Sequence, residues 1–233
     1  MMEKISMTSD WPATLSKILL PITEGPPRRD ETLPAGVHPD IARLIDLCDG
    51  GYTPDFQYHF FGLSGPVGHN VLEWNRQELW KHYYGLNENH FVFAEDVMGS
   101  QYFVTLGSPR KVVRTLVNEG GSITTIAMDL PHFIEIIFSD EFSKDVRDLF
   151  QRFIAVKKIQ YNPLHHLSHK IPVSLGGGDQ DLDNLEFTDS ISDMRFYGQV
   201  AKQLKLLPLG TRIREIAVDE LTKEVRIIPL WRP

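Results

Sequence analysis

The sequence predicts an α+β fold: a mainly antiparallel sheet flanked by helices, followed by a C-terminal extension. Three observations predict it. An apolar stripe of helical period comes early, short aromatic and β-branched runs follow one another through the middle, and helical patterns then resume. Strands in a run followed by helices argue against alternating βαβ units. No Gly-rich loop of the GxGxxG or GxxxxGK(S/T) kind follows a strand, so a nucleotide cradle has no support.

The elements follow in order. A short helix is expected around Pro12 to Leu20, and Thr23 to Pro39, rich in Pro and Gly, reads as an irregular lead-in. In HPDIARLIDLCDGG, Ile41, Leu44, Ile45 and Cys48 make one helical stripe, with Asp40 in the first turn and Gly50-Gly51 as the stop. Cys48 on that stripe reads as a buried, inert thiol. Gln57 to Gly62 and Val71 to Trp74 read as strands. A helix capped by Asn75 follows, with Leu79, Trp80, Tyr83 and Tyr84 on its apolar face, so the Trp74–Tyr84 aromatics read as core.

His90 to Ala94 and Gln101 to Leu106 form the clearest hairpin, turning across EDVMGS. Lys111 to Val117 and Ser122 to Ala127 are further strands, and Asp129 caps a helix with Phe133, Ile136 and Ile137 inward. Asp145 to Val156 and Ile191 to Leu204 read as helices, and Thr211 to Val218 with Val225 to Trp231 as a final hairpin. The domain reading is residues 1–35 as lead-in, 36–150 as the main domain, and 151–233 as an extension packed on it. With one helix and one hairpin the extension has too thin a core to fold alone.

Composition narrows the function. The 233 residues are 42% hydrophobic and 24% charged, ordinary for a globular chain with a real core. One cysteine excludes a disulfide framework and a four-thiolate zinc site within the chain. No apolar run reaches the roughly 18 residues of a membrane helix. The start lacks a secretory pattern, so a cytoplasmic location is expected. The net charge of −7 is uneven: residues 1–150 hold 12 basic and 21 acidic side chains, residues 151–233 hold 12 and 10. An acidic surface repels phosphate backbones and speeds encounter with a basic protein.

Residues 39–139 resemble the SUKH superfamily, many of whose members are immunity proteins against bacterial toxins. The resemblance rests on Leu47-Cys48-Asp49-Gly50-Gly51, Phe60-Phe61-Gly62, Glu73-Trp74-Asn75, Phe93-Ala94-Glu95-Asp96, Gly99 and Gln101-Tyr102. It implies a non-enzymatic binding module with a toxin, such as a nuclease or deaminase, as its protein partner. It implies no catalytic residue, no cofactor, no metal and no direct nucleic-acid contact. Glu95 and Asp96 flank a turn; they are candidates for scaffold bonds to backbone N–H groups and for partner contact.

One segment looks chemical. His165-His166-Leu167-Ser168-His169-Lys170-Ile171-Pro172, then Gly176-Gly177-Gly178 and Asp183-Asn184-Leu185, resembles the first two-thirds of an HNH nuclease motif. That resemblance implies His169 as general base, Asn184 as its orienting partner and a metal on the scissile phosphate. The departures are Ser168 where a metal ligand precedes the base, and Ser192 and Asp193 where a further histidine is expected. The plainer reading is a Pro-Gly-rich loop with polar histidines, with zinc chelation by the three histidines as another. A regulatory or scaffolding role, as in eukaryotic members of the superfamily, is a third function class.

Overall fold

The computed structural model describes residues 10–22, 32–108, 112–208 and 210–230. Six strands form one antiparallel sheet in chain order: β1 (Gly51–Tyr52), β2 (Tyr58–Phe60), β3 (His90–Asp96), β4 (Gln101–Thr105), β5 (Val113–Val117) and β6 (Ser122–Ala127). With the helices, this is the α+β fold the sequence predicts. The helices are α1 (Trp11–Ser16), α2 (Pro39–Cys48), α3 (Val71–Trp74), a π-helical turn Gln77–Lys81 running into α4 (His82–Tyr84), α5 (Leu130–Ile137), α6 (Asp140–Lys157) and α7 (Ser190–Leu204). Two further hairpins lie in the C-terminal part: β7 (His165–His169) with β8 (Leu185–Asp189), and β9 (Ile213–Val218) with β10 (Val225–Pro229).

Local chemistry explains most boundaries. The His38 ring accepts from the Asp40 N–H, and Pro39 fills the first helical position of α2. At the other end Asp49 turns left-handed, and its carboxylate accepts from the N–H groups of Leu63 and Ser64, tying the helix exit to the segment after β2. Gly50 follows at φ 79°, and a Cβ there would lie 2.5 Å from the Phe60 carbonyl oxygen. Asp129 caps α5 by accepting from His132 N–H, as expected. Ser139 caps α6, which therefore starts five residues before the predicted Asp145.

Three expectations are corrected. Val71–Trp74 is a helical turn: Asn70 accepts from the N–H groups of Leu72 and Glu73, a capping geometry that outweighs a four-residue apolar run. Asn75 therefore ends that helix. Its side chain instead bridges Val71 O, Val92 O and Val92 N–H, locking helix to sheet. The buried Lys81 then donates to Asn75 and to His90 O, and burial pushes its pKa down to about 8. Finally, His165–His169 is a strand, so the extension contains two hairpins and a helix.

The lead-in and the extension both join the central core. Trp11, Leu15 and Leu19 pack in the same apolar cluster as Phe60, Trp74, Phe103 and Phe133. Met194, Tyr197 and Ala201 of α7 enter it from the C-terminal side. Trp74, Trp80 and Tyr84 are buried, in keeping with the reading of that aromatic cluster as core. A second cluster joins Val97 to Leu149, Phe150 and Phe153 of α6 and to Leu167 and Leu185. Thr23 to Glu31, most of the predicted irregular segment, lie outside the described residues.

Candidate functional site

The strand–loop–strand–helix order of β7, residues 170–184, β8 and α7 makes a ββα unit. Its register pairs His165 with Asp189 and His169 with Leu185. Leu167 turns into the second apolar cluster, while His166 and Ser168 lie on the opposite face, His166 toward Glu95 of β3 and Ser168 toward Asp193 of α7. Asn184 closes the loop. Its Oδ1 accepts from Ile171 N–H at 2.9 Å, and its Nδ2 donates to Ile171 O at 2.9 Å and Gly178 O at 3.2 Å. These bonds hold backbone; none goes to the His169 ring, so Asn184 orients the loop and not the base.

His166 lies at the centre of a buried polar network. It is 2% exposed. Its Nδ1 lies 2.8 Å from Asp193 Oδ2 and its Nε2 3.2 Å from Glu95 Oε2. Glu95 Oε1 accepts from His59 Nδ1 at 2.9 Å, and Oε2 from Gln101 Nε2 at 2.8 Å. Gln101 in turn accepts from the Trp74 indole N–H at 2.8 Å. Asp193 Oδ2 also receives Asn118 Nδ2 at 3.1 Å, and Oδ1 receives the Ser168 hydroxyl. Gly99, in the turn between β3 and β4, leaves room for this ring: at φ 83°, a Cβ there would lie 2.6 Å from His166 Nδ1.

The electrostatics follow from that placement. Burial alone would push the His166 imidazole toward its neutral form. The charges of Glu95 and Asp193 and their hydrogen bonds outweigh burial and raise its pKa to about 10. At neutral pH it is an imidazolium donating from both nitrogens. Burial likewise opposes ionisation of Glu95, but His166 and the His59 bond hold its pKa well below the ordinary carboxylate value. The network is thus a buried carboxylate–imidazolium–carboxylate arrangement linking β3 to α7.

His169 sits at the end of β7 beside this network. Its Nδ1 lies 3.2 Å from Glu119 Oε2 and its Nε2 3.2 Å from Asp179 O; the Tyr197 hydroxyl donates to its carbonyl at 2.7 Å. The Glu119 bond raises its pKa above the ordinary imidazole value despite partial burial. The metal that the HNH resemblance implies does not fit the residues present. The two ligand positions, Ser168 and Asp193, bond to one another, and the remaining Asp193 oxygen is taken by His166 and Asn118. A divalent cation on Asp193 would have to displace those donors and sit against a positive ring. Among the described residues, no group of three or more His, Cys, Asp or Glu side chains is arranged to hold a metal ion.

Glu95 and Asp96, the candidate partner contacts, are 4% and 8% exposed. Asp96 Oδ1 accepts from the N–H groups of Met98 and Ser100 and Oδ2 from the Tyr102 hydroxyl, so the scaffold reading describes it. Glu95 belongs to the His166 network, and neither side chain is offered to a partner. Cys48 is half-buried, donates to Leu44 O, and is held up at about 11 by burial. The sequence reading missed His59, Asn118, Glu119 and the pairing role of His166. A polar residue inside an apolar strand, such as His59 in QYHFFG or Glu95 in FVFAED, was the available signal, since burial there demands a partner.

The fold and this site define an α+β protein in which a six-stranded meander sheet is bolted to a ββα unit through buried ion pairs. No family model and no curated protein matches the chain. Among solved structures, Atu4351 from Agrobacterium tumefaciens aligns with a TM-score of 0.47 at 16% identity, covering 88% of this chain and 94% of that one.

Proposed function

We propose that the chain is a non-enzymatic protein-binding module that neutralises a bacterial toxin in the cytoplasm, as an immunity protein. The observation that supports this best is the state of its chemical-looking segment. Both carboxylate oxygens of Asp193 already accept from internal donors, and His169 is held by Glu119 and Asp179. What remains is a scaffold with an acidic main domain suited to a basic partner. Among the described residues, no helix is long and apolar enough to cross a membrane.

A second reading, an HNH-like metal-dependent nuclease using His169 as base and Asn184 to hold the loop, is favoured by the ββα order itself and requires a cation that displaces the Ser168, His166 and Asn118 bonds to Asp193. A regulatory or scaffolding role is separated from immunity by the genes encoded next to this one. Co-expression tests the main reading. Cells producing the toxin encoded alongside should survive when this chain is present, and the two proteins should co-purify. Absence of protection, together with magnesium-dependent plasmid cleavage that disappears in His169→Ala, would replace it with the nuclease reading.

A further inference from the structure

A groove of about 510 Å³ opens where three parts of the molecule meet: the β3–β4 and β5–β6 turns, α6, and the loop after β7. Met98, Leu149 and Val173 line its apolar part. Glu119, Asp145 and Asp179 line its polar part. The three carboxylates are not equivalent. Glu119 is engaged by His169 and by Ser174 N–H. Asp145 is exposed and forms no ion pair among the described residues, and the Asp179 side chain is 66% exposed, 3.9 Å from the His169 ring.

An apolar surface edged by open carboxylates matches a long side chain that is aliphatic along its stem and cationic at its tip. Arginine fits better than lysine, because its guanidinium is planar, weakly hydrated and able to engage carboxylates in a fork. Phosphate-bearing ligands are disfavoured by the same carboxylates. The acidic excess of residues 1–150 is spread over that whole part, and the loop after β7 belongs to the part with 12 basic and 10 acidic side chains, so the pull on a cation at the groove comes from Asp145 and Asp179 themselves. We propose that this groove receives an arginine side chain of the protein partner, its methylene stem on Met98, Leu149 and Val173 and its guanidinium against Asp145 and Asp179. This rests on the protein-binding reading and gives it a contact face in place of Glu95 and Asp96.

The test uses the full chain and a fragment probe, so its outcome does not depend on finding the partner. The ¹⁵N-labelled protein is titrated with n-butylguanidinium and, separately, with the neutral isostere n-butylurea. Expected are saturable shifts centred on the amides of Met98, Glu119, Leu149 and Val173 with the guanidinium. Butylurea should produce none, and Asp145→Asn/Asp179→Asn should bind about tenfold more weakly. Shifts spread evenly over the acidic surface, equal shifts with butylurea, or none at millimolar probe would overturn the groove. Failure of toxin co-purification would sink the immunity reading alone, since the fragment result stands independently of it.

Discussion

Replacing His166 by glutamine is expected to destabilise the folded chain by about 3–5 kcal/mol, the range for removing one partner of a buried ion pair. Glu95 and Asp193 would be left buried and without their cation; both are below 5% exposed. Equilibrium denaturation near pH 6 measures the loss. A triple variant that also carries Glu95→Gln and Asp193→Asn should recover part of it, because the uncompensated charges are then gone. A loss below about 1 kcal/mol would show that the network carries no such load.

The same network sets a pH dependence whose sign is fixed by the two shifts. Folded His166 keeps its proton up to about 10, against an ordinary value of 6.5. Its contribution is therefore complete below about pH 6.5 and is lost as pH rises toward 10. Glu95 is shifted the other way from an ordinary 4.5, so its contribution is present above that value and fades as pH falls below it. Maximum stability is expected between these limits. The decline above pH 6.5 should have a slope of at most about 1.4 kcal/mol per pH unit for one proton. His166→Gln should flatten that alkaline decline.

Trp74→Ala is the second large effect, again about 3–5 kcal/mol, from lost burial and the cavity left behind. The indole is fully buried, stacked on Phe61 with ring centroids 5.1 Å apart and on His69 at 5.9 Å, and set edge-on to His166 at 6.5 Å. It also donates to Gln101, whose amide holds Glu95. Trp74→Phe keeps part of the ring contact but loses three ring atoms and that donor, so it should cost less than the alanine variant, about 1–3 kcal/mol. Equal losses in the two variants would mean that the hydrogen bond, and not the packing, dominates at this position. Thermal and denaturant unfolding distinguish the two.

Much of the scaffold was legible because its causes are local. The α2 stripe, the hairpin across EDVMGS, the Asp129 cap and the last hairpin each depend on neighbours within a few residues. Where local signals competed, the reading failed. Val71–Trp74 looked like a strand by composition, yet the Asn70 side chain made it a helix. His165–His169 looked like loop because it is rich in polar residues. Its polar side chains are buried only because partners arrive from 71 positions away, at Glu95, and 27 positions away, at Asp193.

Taken alone, the order of residues determined the α+β class, the position of most helices and strands, the acidic bias of the first 150 residues and the His-Pro-Gly-Asn spacing that resembles part of an HNH motif. Tertiary structure alone decided what that spacing is used for. Hydrogen-bond saturation of a carboxylate, and the charge state of a ring between two carboxylates, are properties of groups brought together from β2, β3, β7 and α7. Chain folding sets the distances and the exclusion of water that govern both, and neither quantity is encoded in any short stretch of sequence.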